Sequence, residues 1–384
     1  MPIDPWLPRA TALRPERVAI EAPEGSLTYA ELLERARLDV APGTRVALEG
    51  PPSLELVVRL HAILLAGAVA VPVDPRLGDE ERAALLTAGT SPPGTALIVH
   101  TSGTTGATKP VEISLANIQA NALGSAVALG LDTDERWLCP MPLSHVGGLM
   151  VLLRSAIYAT TAVLGPPARA ADDDITVVSL VPTQLRRLLD AGETPGARLR
   201  VVLLGGAAAT PDLLARARDA GWPVRETYGL TQACSQVTVD GFPLPGVRVS
   251  TAPDGEILVE GPTVAGGGVL RTGDLGRIEG HRLTVIGRKS DTIVTGGENV
   301  APAEVEAALL EHPAVADAGV FARPDPEWGE AVTASVVLRE PADPEELRAW
   351  VGQRLARFKV PKAIEPVEAL PRNPSGKLLR RQLR

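Results

Sequence analysis

Apolar residues in this chain fall in short runs separated by amphipathic stretches. From Leu27 to Pro75 the pattern predicts a helix over 29–38, a strand over 45–49, a helix over 53–65 and a strand over 69–73, the alternation of a βαβ unit and so of a parallel sheet. A short helix is expected over 79–87, followed by Ser91-Pro-Pro-Gly94 and a buried strand over 95–99. Ser114 has the chemistry of an N-cap for a helix that reaches Leu129. Further strands are predicted over 175–180 and 199–204 with a helix over 183–189 between them, and 255–262 alternates like an exposed strand. The most apolar stretch, 54–73, is interrupted by Glu55, Arg59 and His61 and contains Gly67 and Pro72. It reads as an amphipathic helix entering a strand, not as a membrane span.

The strand over 95–99 opens into His100-Thr-Ser-Gly-Thr-Thr-Gly-Ala-Thr-Lys-Pro110, expected to be a loop between that strand and the Ser114 helix. Its composition suits a polyphosphate. Glycines let backbone N–H groups close on phosphate oxygens as an anion nest, hydroxyls donate further hydrogen bonds, and Lys109 brings positive charge. The spacing is not that of a Walker P-loop, and a flexible Ser/Thr/Gly linker is the plain alternative.

TSGTTGATKP resembles the phosphate-binding signature of the acyl- and aryl-adenylate-forming ligases, which activate carboxylic acids with ATP and usually pass them to coenzyme A. The resemblance implies that Thr101, Ser102, Gly103, Thr104, Thr105, Gly106 and Lys109 bind the nucleotide. Other motifs of the family follow in order. A lone histidine is usually structural, but the resemblance gives His145, at the end of Trp137-Leu-Cys-Pro-Met-Pro-Leu-Ser-His145, the closing of the acyl pocket beside the coenzyme A tunnel. Gly205-Gly206-Ala207 ends a strand, where open α/β sheets place ligands. A tight turn would explain it equally well; the resemblance sets Gly206 and Ala207 against adenine and Gly205 beside the acid.

Glu226-Thr-Tyr-Gly-Leu-Thr-Gln-Ala-Cys-Ser-Gln236 resembles the family's Tyr-Gly-x-Thr-Glu signature. That likeness implies nucleotide contacts from Thr227, Tyr228, Gly229 and Thr231, with the Thr231 hydroxyl at the α-phosphate, and acid contacts from Gly229, Cys234 and Ser235. Gln232 stands where the family has a magnesium-holding glutamate. A neutral amide oxygen weakens such a site without abolishing it, since magnesium takes much of its shell from phosphates and water. The Ala-Cys-Ser-Gln continuation is most similar to the o-succinylbenzoate–CoA ligases of menaquinone synthesis. In Arg271-Thr-Gly-Asp-Leu275 the carboxylate could simply cap a turn; the resemblance gives Asp274 the ribose hydroxyls and Arg288 a nucleotide contact. Gly287-Arg-Lys-Ser-Asp291 matches the family's hinge, with Ser290 in place of its usual aspartate or lysine. Pro302 lies near the first turn of a helix that follows Thr295. Lys377 ends the family's Pro-x-x-x-x-Gly-Lys string, where the lysine reaches the carboxylate and α-phosphate during adenylation.

Composition narrows the picture. A chain of 384 residues, 45% hydrophobic and 22% charged, can bury a sizeable core in two or three domains. A net charge of −8 without any basic block argues against nucleic acid as the main partner. Cys139 and Cys234 lie far apart without C-x-x-C spacing, which indicates neither a disulfide framework nor zinc and fits a reducing cytoplasm. The first ten residues do not read as a secretory signal.

These readings together imply an α/β fold, with parallel sheets flanked by helices in a large N-terminal adenylation domain (1–287) and a small mobile α+β domain (288–384). They imply ATP, magnesium and coenzyme A as reactants and cofactor, a small carboxylic acid as substrate, no nucleic-acid or membrane partner, and a homodimer as an open option. Other readings stay open: an aryl- or fatty-acid–CoA ligase, an adenylation enzyme loading a carrier protein, and a nucleotide-binding pseudoenzyme motivated by Gln232. The segments between Leu77 and the phosphate loop and over 263–270 read as shorter than the family's.

Overall fold

A computed structural model describes residues 5–75, 77–78, 82–83, 85, 91–102, 108–372 and 378–383. The helix expected over 79–87 falls largely outside them. The chain divides into two compact units, one of Met1–Gly206, Ala220–Val249 and Val259–Leu270, the other of Ala207–Asp219, Ser250–Leu258 and Arg271–Arg384.

The first unit contains two sheets. The larger has nine strands, in the spatial order Phe242–Pro243, Ser235–Val239, Val224–Leu230, Val201–Leu204, Val177–Leu180, Arg136–Cys139, Thr161–Leu164, Val18–Ala22 and Gly25–Thr28. Its interior pairings, from Val224–Leu230 across to Val18–Ala22, are parallel, as continuous apolar strands such as Val201-Val-Leu-Leu204 require when both faces are covered. The helix Val146–Tyr158 is buried from Gly148 to Ile157, as a helix apolar on nearly every side is. Tyr29 ties it to the rest of the core by donating its hydroxyl to the carbonyls of Ser155 at 2.9 Å and Thr160 at 2.7 Å.

The second sheet of this unit corrects one expectation. Strands Arg45–Leu48, Val69–Pro72 and Thr95–Ser102 pair in parallel, as the βαβ reading predicts, but the third runs on to Ser102 and is met by an antiparallel strand, Thr108–Ser114. The phosphate signature therefore joins two strands of a hairpin rather than a strand and a helix. The cause is the alternation Val111-Glu112-Ile113, whose apolar members are both buried. Only then does the Ser114 helix begin, at Leu115. Ser114 Oγ accepts from the Asn117 N–H at 3.1 Å while Asn117 Oδ1 accepts from the Ser114 N–H at 3.0 Å, a reciprocal cap.

The second unit is built on a four-stranded sheet, in the order Arg248–Thr251, Glu256–Glu260, Val269–Glu279 and Arg282–Arg288, and a five-stranded sheet around Val315–Asp325 and Gly329–Leu338. Helices Pro302–Leu310 and Pro344–Gly352 bury Val305, Leu309, Leu347 and Val351 in a core shared with Val320 and Val336. One sequence reading changes here. The strand expected to be exposed over 255–262 is an interior strand with Glu256, Ile257 and Val259 buried. Arg282–Arg288 is laddered to Val269–Glu279, and Lys289 bonds back to Asp254 at 2.6 Å.

The start of the Ser114 helix gives a test of how the hairpin is held. Asn117 Nδ2 donates to the carbonyls of Pro262 at 2.8 Å and Val264 at 3.1 Å. Asn117→Ala strands both acceptors and opens the cap, so urea unfolding should show a loss of about 2 kcal/mol. Asn117→Asp keeps the cap acceptor and should lose only part of it.

Candidate active site

The parallel strands Val177–Leu180, Val201–Leu204 and Val224–Leu230 end along one edge of the nine-stranded sheet, and the loops leaving them carry many of the residues singled out above. Gly205 donates its N–H to the Leu180 carbonyl at 3.0 Å. A Cβ at Gly205 would stand 2.6 Å from Thr227 Cγ2 and 3.0 Å from the Thr227 carbonyl, so glycine is what lets these two segments cross. Thr227 is fixed in turn, its hydroxyl donating to the Thr238 carbonyl at 2.8 Å. Gly206 takes φ +79° and is exposed, as is Ala207.

Beyond half-buried Tyr228 the ladder to Ser235–Val239 is broken by a bulge at Tyr228/Gly229. A Cβ at Gly229 would fall 1.9 Å from the Ser235 carbonyl oxygen. Between these crossing points Thr231–Ala233 forms one turn of 3-10 helix, closed by the Cys234 N–H on the Thr231 carbonyl at 3.0 Å. Cys234 and Ser235 then both adopt left-handed backbone, at φ 54° and 91°. Each such residue costs on the order of 1–3 kcal/mol, and strain of this kind concentrates at functional sites. Gln232 is half-buried, its carbonyl accepting from the Ala265 N–H at 2.8 Å.

Cys234 is fully buried on the left-handed turn, with Sγ 3.9 Å from Met150 Sδ, and burial pushes the thiol up to about 12. His145 precedes the helix Val146–Tyr158; its carbonyl accepts from Gly148 at 3.1 Å and Leu149 at 3.2 Å, and its imidazole is half-buried. In the hairpin, Thr101 pairs with Lys109 and Ser102 with Thr108, and Lys109 is exposed. Gly103, Thr104, Thr105 and Gly106 lie outside the described residues.

In the second unit Asp274 is buried within Val269–Glu279, not at a turn, because the strand continues through it opposite Arg288. Its N–H donates to Thr272 Oγ1 at 3.1 Å, and its carboxylate lies 3.1 Å from Arg288 Nε. Ser290 is exposed in the 3-10 turn Lys289–Asp291 and donates to Asp291 Oδ1 at 3.1 Å. Lys377 lies outside the described residues. The chain on either side is pinned: Arg372 and Leu378 form an antiparallel bridge, Arg372 pairs with Asp317 at 2.8 Å, and Arg380 pairs with Glu306 at 2.7 Å and Asp291 at 3.0 Å.

Sequence reasoning passed over a buried polar group behind this edge. Arg154, 1% exposed, donates to Asn121 Oδ1 at 2.6 Å and sits over the Trp137 ring at 5.4 Å; burial lowers its pKa. Asn121 Nδ2 donates to the Gln236 carbonyl at 2.8 Å. The available signal was a lone charge inside the apolar run Val146–Tyr158, a position where arginine is rare.

The sequence profile of AMP-binding enzymes matches residues 7–92 and 87–267, and that of the AMP-binding enzyme C-terminal domain matches residues 304–377. The chain is 34% identical to a 2-succinylbenzoate–CoA ligase of Bacillus cereus (strain Q1) over 469 aligned positions, covering 99% of this chain and 98% of that protein. It is 33% identical to the protein of the same name from Bacillus subtilis (strain 168), covering 99% and 97%. The alignments are longer than the chain's 384 residues, so its shortness relative to them is carried by internal gaps. Among solved structures, o-succinylbenzoate CoA synthetase from Bacillus subtilis superposes with a TM-score of 0.88 at 32% identity in complex with the acyl-adenylate intermediate OSB-AMP, covering 99% of this chain and 98% of that one. In complex with ATP and magnesium ion it superposes with a TM-score of 0.89 at 31% identity, covering 99% of both. The chain belongs to the AMP-binding enzyme family.

Proposed function

We propose that this chain is an ATP-dependent carboxylic acid–coenzyme A ligase working through an acyl-adenylate, with o-succinylbenzoate as its acid. The observation that carries the reading is similarity over 99% of the chain, at 34% identity, to a protein named for that reaction. In the first half-reaction a carboxylate oxygen of the acid bonds to the α-phosphorus of ATP as the bond to pyrophosphate breaks. In the second, the coenzyme A thiolate bonds to the acyl carbon and AMP leaves. The protein supplies positioning and charge stabilisation rather than covalent chemistry.

Thr101, Ser102, Gly103, Thr104, Thr105, Gly106 and Lys109 are assigned to the phosphates, Gly206, Ala207 and Tyr228 to adenine, Thr231 to the α-phosphate, Asp274 to the ribose, and Thr227, Gly229 and Arg288 to further nucleotide contacts. Gly205, Gly229, Cys234 and Ser235, with His145, are assigned to the acid. Ser290 is assigned to a hinge between 1–287 and 288–384, and Lys377 to charge stabilisation during adenylation. Magnesium, when bound with the triphosphate, would offset phosphate charge. Gln232 would give it one neutral oxygen; a half-buried carboxamide fits an ion otherwise held by phosphates and water, and no cluster of three or more His, Cys, Asp or Glu able to hold a metal stands among the described residues. A cytoplasmic enzyme is supported by two cysteines far apart without C-x-x-C spacing, and small-molecule rather than nucleic-acid partners by the charge of −8; a homodimer stays an option. Among the described residues no helix is long and apolar enough to cross a membrane.

The activity is tested by competition among o-succinylbenzoate, benzoate, acetate and a medium-chain fatty acid, with pyrophosphate release as the readout. The first should have the highest kcat/KM, and a preference for any other would overturn the substrate assignment.

Gln232→Glu restores an anionic metal ligand away from the acid, so the magnesium midpoint for adenylation should fall while acid preference stays the same. An unchanged midpoint would show that Gln232 does not face the ion.

Lys377→Ala should slow pyrophosphate release from ATP and acid by about 10²- to 10³-fold, the usual effect of losing one preorganised charge contact. It should leave conversion of a supplied acyl-adenylate to the thioester unchanged. Equal losses in both assays would give Lys377 a structural role instead.

A further inference from the structure

Gln236 is an anomaly of the core. It is 2% exposed, yet neither Oε1 nor Nε2 of its carboxamide has a hydrogen-bond partner. Its backbone, by contrast, is fully engaged: the carbonyl accepts from Asn121, and the residue lies opposite Gly229 in the antiparallel pair. That opposition places it at the assigned acid end of the site, since a Cβ at Gly229 would come within 3.0 Å of Gln236 Cα. It also directly follows the left-handed pair Cys234–Ser235.

A buried carboxamide with both ends unpaired weakens the fold, and a thioether of similar volume would serve packing better. Such a group needs a partner from outside the chain. We propose that Gln236 is a specificity-determining residue for the acid. Its Nε2 donates to an acceptor oxygen that the acid carries beyond the carboxyl group being activated. The site then selects acids bearing a keto or second carboxylate oxygen over plain aryl or alkyl acids. Sites built to bond a substrate's polar group discriminate strongly, because their own polar groups are left unpaired by an analogue that lacks it. The inference rests on the acid–CoA ligase reading above and names what that reading leaves unassigned.

The test compares the unaltered chain with Gln236→Met, which removes both polar ends, and Gln236→Asn, which keeps an amide on a shorter stem. In Gln236→Met the KM for o-succinylbenzoate should rise about tenfold or more, the worth of a hydrogen bond to a charged or strongly polar group. The KM for ATP and the kcat/KM for benzoate should not move, and the thermal unfolding midpoint should hold or rise. Gln236→Asn should fall between the two for o-succinylbenzoate alone, and decides the matter if the methionine variant does not fold. An unchanged KM for o-succinylbenzoate, an equal loss with benzoate, or a lowered unfolding midpoint with KM intact would overturn the inference, the last by showing that Gln236 only holds a buried water. Failure of the unaltered chain to release pyrophosphate with o-succinylbenzoate would overturn the activity itself, and this inference with it.

Discussion

No side chain can stand at position 229. The Ser235 carbonyl passes 1.9 Å from where its Cβ would be, and at position 205 the Thr227 methyl leaves 2.6 Å. These two crossings fix the path of the chain between Tyr228 and Gln236. They force the bulge in the ladder and the single 3-10 turn, and the left-handed Cys234 and Ser235 lie on the same tightly constrained return. Strained backbone persists only when its surroundings over-determine it. Here the anchors are apolar: Cys234, Val237 and Val239 are buried, and Leu244 closes the far side by donating its N–H to the Val237 carbonyl at 2.9 Å. The thiol thus has a mechanical role, a small buried anchor that lets a strained turn present Thr231, Gln232 and Ser235 at the end of a parallel sheet.

Much of the fold was legible because many strands are short apolar runs and several helices start at residues that favour capping. Ser53 and Ser114 mark helix starts in the sequence and cap them in the structure. What was not legible had physical causes. The strand Thr108–Ser114 hides behind a lysine and a proline, and its apolar alternation occupies too few positions to stand out beside the hydroxyl-rich signature. Asp274 was read at a turn because Thr272-Gly273 has turn composition, yet Gly273 at φ +72° is absorbed within the strand while its N–H donates to Glu256 Oε1 at 3.0 Å. The left-handed backbone at Cys234 and Ser235 was hidden for a different reason, since no local pattern reveals that two successive non-glycine residues will turn left-handed. The tip of the hairpin and Lys377 lie outside the described residues, so for them the sequence remains the only guide.

Charge organises the segment around Ser290. Lys289 binds Asp254 and Glu256, and on the other side Asp291 binds Arg380, so the two neighbours of Ser290 are tied to different strands and tails of the second unit. Exposed pairs of this kind contribute little each. Their arrangement matters more than their sum, because it ties both neighbours of Ser290, whose own hydroxyl donates to Asp291, to separate parts of the unit. Glu256 shows the same economy from the acid side: burial pushes its carboxyl up, but the Gly273 N–H and the Arg271 and Lys289 cations outweigh that and hold it below the usual carboxylate range.

Arg154 poses the opposite problem. Its guanidinium is buried with one neutral acceptor, Asn121, and the face of Trp137, and its Nε has no partner. A buried cation without a carboxylate is among the more destabilising things a core can contain. The surrounding packing can carry it, since the helix Val146–Tyr158 is enclosed along nearly its whole length. What the arrangement yields is a region of positive potential close to Cys234, whose thiol pKa it lowers against the larger effect of burial. A low-dielectric wall strengthens such a field instead of screening it. The instability of the buried polar group and the field it exerts on the Cys234 thiol are then two consequences of the same side chain.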